Sequence, residues 1–185
     1  MNHLDFLREG LRNIKTVGTI TRSSKALCKK MTEPVNFDKA RIIVEYGAGD
    51  GVITKHILNQ MHKDARLLAF EVNQVFYPKL REIKDERLDL VFESAEDISS
   101  VLAHYDLDSV DCIISAIPFV NLTEELSFKI LNNAKKVLKS NGTFIQMHYS
   151  LLERKMYKSI FGNLQINFEP LNIPPAFVFV CKKTN

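Results

Sequence analysis

Residues Glu45-Tyr46-Gly47-Ala48-Gly49-Asp50-Gly51 place a carboxylate and three glycines directly after the apolar run Ile42-Ile43-Val44. Glycine has no Cβ, so such a turn can take positive φ angles and let a ligand come close to the main chain. The next residues, Val52-Ile53-Thr54-Lys55-His56-Ile57-Leu58, predict a helix whose first N–H groups open on the same space. Strand, glycine turn and helix together predict a nucleotide-type cofactor. A second acid follows at a useful distance, because Leu67-Leu68-Ala69-Phe70 ends in Glu71, 20 residues after Gly51. A carboxylate there can accept both hydroxyl protons of a ribose.

The spacing narrows the cofactor. A dinucleotide site wants G-x-G-x-x-G, whereas this chain has Gly47-x-Gly49-x-Gly51 with Glu45 in front. That form resembles motif I of the S-adenosylmethionine (SAM)-dependent methyltransferases. SAM has no pyrophosphate but carries a positively charged amino-acid end, which a carboxylate at the turn suits. Cofactor contacts are therefore expected from Glu45, Tyr46, Gly47, Ala48 and Gly51, with Gly49 at the centre of the turn. Glu71 and Val72 are expected at the ribose.

Ligands of open α/β sheets lie beyond the carboxyl ends of the strands, so the remaining strand ends extend the expected site. The third supplies Ser94 and Ala95, where SAM enzymes usually hold the adenine edge with an Asp-like group. The fourth runs Ser115-Ala116-Ile117-Pro118-Phe119-Val120-Asn121 and is where methyl donor and acceptor should meet. Ser115 is expected on the cofactor side, Phe119 and Asn121 on the acceptor side. Methyltransferases acting on adenine amines carry Asn or Asp, any residue, Pro and an aromatic here. Ala116-Ile117-Pro118-Phe119 lacks that polar group, which counts against base methylation.

The fifth strand ends in Met147-His148-Tyr149-Ser150. Tyr149 could offer its ring face to a cationic amine, a contact worth about 0.5–2 kcal/mol. Alternation along a strand sends His148 to the opposite face, so only one of the two should reach the acceptor.

The elements that must hold these residues alternate from Ala40 onward. Strands are expected at 41–46, 66–71, 87–93, 109–116, 142–149, 163–169 and 175–182. Helices are expected near 51–62, 73–84, 95–103, 123–139 and 151–161, with Asn141-Gly142 as a left-handed cap on the long one. Pro170-Leu171-Asn172-Ile173-Pro174-Pro175 joins the last two strands without a helix and predicts a hairpin. The expected fold is α/β: a Rossmann-like seven-stranded SAM-methyltransferase sheet, mostly parallel with a C-terminal antiparallel hairpin, preceded by an N-terminal helical extension. Residues 1–39 form the basic helical segment and 40–185 the SAM-binding domain.

Composition is that of a soluble globular protein, 45% hydrophobic and 25% charged. No apolar run approaches the roughly 18 residues of a membrane span. Asn2-His3-Leu4-Asp5 does not open a signal peptide. Cys28, Cys112 and Cys181 are odd in number and widely spaced, which suits a reducing cytoplasm and argues against a disulfide framework or zinc site. The net charge of +3 is uneven: residues 1–31 hold seven Lys and Arg against Asp5 and Glu9, giving +5 and leaving −2 for the rest. Leu4, Leu7, Leu11 and Ile14 recur at helical spacing, and a basic amphipathic helix reads as a contact for an anionic surface. A segment that packs its stripe on the domain and solvates its charges is the plainer alternative.

Most of the chain resembles the bacterial phospholipid N-methyltransferases. The likeness runs from Phe6-Leu7-Arg8, Val17-Gly18-Thr19-Ile20 and the pair Ser23-Ser24 to Val44–Thr54 and Glu71-Val72-Asn73. It continues through Ser115-Ala116-Ile117-Pro118-Phe119 with Asn121, then Phe144-Ile145-Gln146 ahead of Tyr149, and closes on Asn172-Ile173-Pro174-Pro175-Ala176. Ala116 departs from a more usual glycine, Ser94 from an acid and Tyr46 from an aliphatic residue. The resemblance implies N-methylation of a phosphatidylethanolamine-like headgroup by an enzyme on the inner face of the membrane, its first helix resting on anionic lipid. It also implies an acceptor side around Tyr149, Asn121, Phe119 and Ser23/Ser24. Two other readings stand beside it: an rRNA adenine N6-methyltransferase, which would normally append an RNA-binding domain beyond Asn185, and a SAM-binding protein without transfer activity. Nucleic acid ranks below the membrane as a partner.

Overall fold

A computed structural model describes residues 23–184. The stripe of Leu4, Leu7, Leu11 and Ile14 and the connector from Val17 to Arg22 lie outside the described residues.

Seven strands form one sheet: β1 (Ile42–Tyr46), β2 (Arg66–Phe70), β3 (Leu88–Val91), β4 (Val110–Ser115), β5 (Leu138–His148), β6 (Gln165–Glu169) and β7 (Ala176–Lys182). Their order is β3-β2-β1-β4-β5-β7-β6. The first five are parallel, and β7 pairs antiparallel with both β5 and β6. The order reverses between β1 and β4, so the crevice expected of such sheets opens beside the glycine turn that follows β1. Helices are α1 (Lys25–Thr32), α2 (Val52–Leu58), α3 (Tyr77–Arg81), α4 (Ile98–His104), α5 (Glu124–Val137) and α6 (Arg154–Phe161).

Alternation along the strands gives the sheet two apolar faces. One buries Ile43, Leu67, Ile114, Ile145 and Val178 under Leu27 and Met31 of α1 and Ile53 and Ile57 of α2. The other buries Val44, Leu68, Ile113, Phe144 and Phe179 under α4, α5 and α6, through Leu102, Ile130, Tyr157 and Phe161. The cysteines are free and buried. No helix among the described residues is long and apolar enough to cross a membrane.

The strands and helices expected from residue 41 onward are all present, with shorter helices. The segment expected as one helix over 73–84 begins as a 3₁₀ turn, Gln74–Phe76, before Pro78 enters the first turn of α3. One local reading is corrected. Asn141-Gly142 does not cap α5, which ends at Val137 with Leu138 already extended. Leu138 pairs with Val110 and the ladder resumes only at Cys112 and Thr143, so residues between them bulge from β5. Asn141 takes its φ of 63° inside that bulge, donating its N–H to the Lys183 carbonyl at 2.9 Å. Long-range pairing overrides the local cap signal.

Beside this bulge, at the end of the sheet away from the glycine turn, Asp111 joins strands far apart in sequence. Its Oδ2 accepts the N–H groups of Arg41 and Ile42, each at 2.9 Å, and Oδ1 meets Lys139 Nζ at 2.7 Å. Burial alone would raise the carboxyl's pKa, but these donors hold it below the usual carboxylate range. Asp111→Ala removes the acceptor of two otherwise unpaired N–H groups, and urea unfolding should register a loss of about 2–3 kcal/mol. A loss under about 0.5 kcal/mol, the usual size of an incidental surface change, would deny the residue that role.

Candidate active site

The carboxyl ends of the strands are level, since Tyr46 aligns with Phe70 and Ser115, Phe70 with Val91, and Ser115 with Gln146. The loops that follow therefore meet in one place. Gly47, Gly49 and Gly51 all have positive φ, at 76°, 54° and 79°. At Gly51 a Cβ would lie 2.7 Å from Ile83, so packing as well as φ demands glycine. At Gly49 nothing but the Gly47 carbonyl, 3.9 Å away, would meet a Cβ, so the turn is open there and a side chain would project into that space.

Glu71 is almost fully buried and braces this turn. One carboxylate oxygen accepts the Gly49 N–H at 2.8 Å and the other the Asn73 N–H at 2.7 Å. Each oxygen keeps further lone-pair capacity for a hydroxyl donor. Burial raises its pKa, and the two N–H groups oppose the rise.

Glu45 is completely buried on the α2 side of β1. Its Oε2 accepts the Thr54 hydroxyl at 2.7 Å, while Oε1 has no partner among the described residues. Desolvation pushes its pKa up to about 8, with the Thr54 bond opposing and the charges of Glu71 and Asp50 adding. A half-satisfied buried carboxyl beside an open glycine turn fits a cationic ligand group, which would supply the missing donor and favour the ionised form.

The other expected cofactor residues are placed unequally. Ala48 and Ala95 are buried, and Val72 is half-buried at the end of β2. The Tyr46 side chain points away from the turn into the core, edge-on to Phe70 at 5.5 Å, so it can contribute only main chain. Its carbonyl accepts the Ala116 N–H at 2.8 Å. Ser94 is buried and caps the turn Ala95–Asp97 through the Glu96 N–H at 3.4 Å. Ser115 is buried and accepts the Ile117 N–H at 3.4 Å.

On the acceptor side one expectation is corrected. Phe119 is 2% exposed, its ring packed 5.9 Å from Tyr157 and 6.3 Å from His148. It closes the core beneath the loop and presents no face outward, because its apolar ring is more stable buried than at an open mouth. Asn121 is exposed at the end of the same 3₁₀ turn. His148 and Tyr149 do diverge as alternation requires. His148 is buried, 3.0 Å from the Tyr157 hydroxyl, and desolvation lowers its pKa to about 4. Tyr149 is half-exposed on the other side and hydrogen-bonds to Asn172.

Two residues without an expected role organise this region. Buried Asn172 accepts the Ser24 N–H at 2.9 Å and donates to the Pro174 carbonyl at 2.8 Å. It thereby joins Ser24, Tyr149 and the Pro170–Pro175 loop. Buried Gln146 donates to the Ile117 carbonyl at 2.9 Å and fixes the loop after β4. Its sequence signal was a lone polar residue in the apolar run Phe144-Ile145-Gln146-Met147. Asn172 stood only within the family-like closing segment, and nothing local announced its bond to Ser24, 148 residues away.

This sheet order, with an antiparallel β7 and a glycine turn at the switch point, is the fold of the class I SAM-dependent methyltransferases. The chain belongs to the methyltransferase small domain family, whose sequence model matches residues 12–170. It is 29% identical over 180 residues to an ornithine lipid N-methyltransferase of Singulisphaera acidiphila, covering 96% of this chain and 94% of that enzyme. Over 104 residues it is 30% identical to ribosomal RNA small subunit methyltransferase A of Thermotoga petrophila, covering 53% of this chain and 39% of that enzyme. Among solved structures, the Bacillus cereus O-methyltransferase in complex with SAH superposes with a TM-score of 0.71 at 15% identity, covering 97% of this chain and 91% of that one. Precorrin-6y C5,15-methyltransferase of Geobacter metallireducens superposes with a TM-score of 0.69 at 13% identity, covering 90% and 93%. The cofactor is SAM.

Because the Glu45 pKa rises from 4.5 toward 8 on folding, its contribution to stability is most favourable below pH 4.5 and is lost as pH rises through about 8. Without cofactor, Glu45→Gln should therefore gain on the native chain between pH 6 and pH 8. Thermal unfolding would show it as a Tm difference that widens with pH by about 2–4 °C per kcal/mol in a domain of this size. Parallel Tm curves across that range would contradict the buried, half-satisfied carboxyl.

Proposed function

We propose that this enzyme transfers the methyl group of SAM to the amine of a lipid headgroup at a membrane surface. The observation that carries this reading is the near full-length similarity to an ornithine lipid N-methyltransferase. The clustering of Ser24, Tyr149 and Asn172 at the mouth of the crevice supports it, because these are segments that the phospholipid-methylating resemblance singles out. Ornithine lipid and phosphatidylethanolamine both offer a primary amine of the required kind. The inner face of the membrane is the proposed location, and the basic residues ahead of the domain the proposed electrostatic attraction.

In the proposed site the main chain of residues 46–51 cradles the cofactor, Glu45 faces the ammonium of its methionine part and Glu71 accepts the ribose hydroxyls. Val72, Ser94 and Ala95 border the adenine, and Ser115 lies toward the sulfonium. Tyr149 and Asn121 face the acceptor. The neutral amine attacks the sulfonium methyl carbon in line; the C–N bond forms as the C–S bond breaks and its electron pair stays on sulfur. The ammonium product then loses a proton to water. Holding the two centres in line is the main service the protein must supply. Desolvation favours the neutral amine, so no side-chain base is required. Buried His148 is not assigned that role.

Methylation of adenine in rRNA is the second reading, supported by the partial similarity to a ribosomal RNA methyltransferase. Ala116 stands where such chemistry wants an Asn or Asp, and the matched stretch covers only about half of the chain.

With methyl-labelled SAM and vesicles carrying ornithine lipid or phosphatidylethanolamine, label should enter the organic phase. Label in rRNA and none in lipid would reverse the order of the two readings. Tyr149→Ala should slow lipid methylation about 5–30-fold, as loss of a desolvated cation–ring contact predicts, while SAM affinity stays within about twofold. Gly49→Val should abolish SAM binding with the circular dichroism spectrum retained. Ionisation of Glu45 makes SAM affinity rise toward pH 8, and Glu45→Gln should weaken binding about tenfold and flatten that rise. An unchanged pH profile in this variant would remove Glu45 from the ammonium.

A further inference from the structure

The three most exposed large apolar side chains among the described residues lie on neighbouring loops at the carboxyl end of the parallel strands. Leu152 is 79% exposed, Leu171 74% and Ile173 77%. They belong to two loops that the sheet holds side by side, since β5 ends and β7 begins at the pair His148–Phe177. Both loops are braced. Glu169 accepts the Leu171 N–H at 2.9 Å, and Asn172 turns inward to hold Ser24 and Pro174, which sends Leu171 and Ile173 outward on either side of it. In the other loop Ser150 accepts the Leu152 N–H at 3.4 Å, and the Arg154 guanidinium donates to the Leu151 carbonyl at 2.9 Å.

Exposed cations rim the apolar tips. Arg154 and Lys155 directly follow the Leu152 loop, and Lys25 directly follows Ser24, which Asn172 holds. The opposite flank differs, because Glu124 and Glu125 open α5 beyond the loop after β4. Apolar tips on separate braced loops with cations beside them do not make the flat continuous patch of a subunit interface. They match a bilayer interface, where apolar groups enter the acyl boundary and Lys or Arg meet anionic headgroups.

We infer that Leu152, Leu171 and Ile173, with Lys25, Arg154 and Lys155 around them, form a membrane-docking surface that seats the crevice mouth on anionic lipid. This inference rests on the proposed lipid substrate for its meaning, but it concerns a surface separate from the cofactor turn. Docking here turns Tyr149 toward the headgroup layer, so an amine can enter without leaving the bilayer.

The test uses the full chain with a single cysteine introduced by Leu171→Cys or Leu152→Cys, or by Glu86→Cys on the remote end of the sheet, and labelled with an environment-sensitive nitrobenzoxadiazole dye. The native cysteines are buried and leave the introduced thiol as the accessible one. With phosphatidylcholine–phosphatidylglycerol vesicles, dyes at 171 and 152 should brighten, shift to the blue and be quenched by nitroxide lipids, while the dye at 86 stays unchanged. The paired substitution Leu171→Asp and Ile173→Asp should lower vesicle partitioning about tenfold or more, as expected when apolar insertion is replaced by charge, with SAM affinity unchanged. Dyes at 171 and 152 that stay silent while the protein sediments with vesicles would overturn the inference. So would a failure to bind the vesicles, or brightening driven by protein concentration alone, which would assign the surface to a second copy of the chain. The outcomes separate the two proposals. Insertion at 171 and 152 without lipid methylation keeps the docking surface and sinks the substrate; methylation with silent dyes does the reverse.

Discussion

Two carboxylates buried at the ends of adjacent parallel strands set the constraint that the rest of the structure serves. Glu71 is tolerable where it lies because two backbone N–H groups face it, and one of them belongs to Gly49. The same bond that stabilises the acid therefore shapes the turn. Glu45, one strand over, has only Thr54, and the two acids repel. A site with this much buried negative potential is less stable empty than filled by a cation. From the turn the constraint spreads across the sheet. Gly47 approaches Ile117 so closely that even a Cβ would touch it, and Gln146 holds the Ile117 carbonyl from β5. Cofactor turn, acceptor loop and fifth strand are thus coupled through contacts one residue deep.

Much of this was legible because it is written in local pattern. A glycine turn between an apolar strand and a helix, acids at strand ends and alternation at His148 and Tyr149 are properties of neighbouring residues. The hairpin of β6 and β7 was legible in the same way, from prolines that forbid a helix. What failed depended on partners far along the chain. Asn141-Gly142 carries a sound local cap signal, yet Leu138 finds Val110 and the helix ends early. Phe119 fits the position of an outward-facing ring, yet Tyr157, His148 and the core below take it inward. Asp111 and Asn172 are unremarkable polar residues until the topology brings Arg41, Ile42 and Ser24 to them. Hydrogen bonds spanning about 70 and 148 residues have no periodicity to read.

Asn172 also explains how two ends of the chain come to share a task. Ser24 caps α1 with its side chain and gives its N–H to Asn172, so the start of the first described helix is fixed against the loop before the last strand. Lys25, the first residue of that helix, is thereby held at that point. Under the proposed function its charge is delivered to the same rim as Leu171 and Ile173, where apolar insertion and electrostatic attraction act on one surface. Neither is strong alone, since a few apolar tips give a shallow hold and exposed charges are screened by salt over about 10 Å.

A surface-seated site changes what the chemistry needs from the protein. An amine in water is protonated at neutral pH, and an enzyme acting there must provide a base or a deep pocket. At a bilayer boundary the low-dielectric side already disfavours the ammonium. A crevice mouth that seals against that boundary need only present the sulfonium in line and keep water out. The side chains found there are suited to that lesser demand. Tyr149 offers a ring and a hydroxyl, and the one histidine nearby is turned into the core with a pKa near 4, where it cannot serve as a base for an amine. Under the proposed function, the scarcity of catalytic groups around the acceptor follows from a reaction at the membrane boundary.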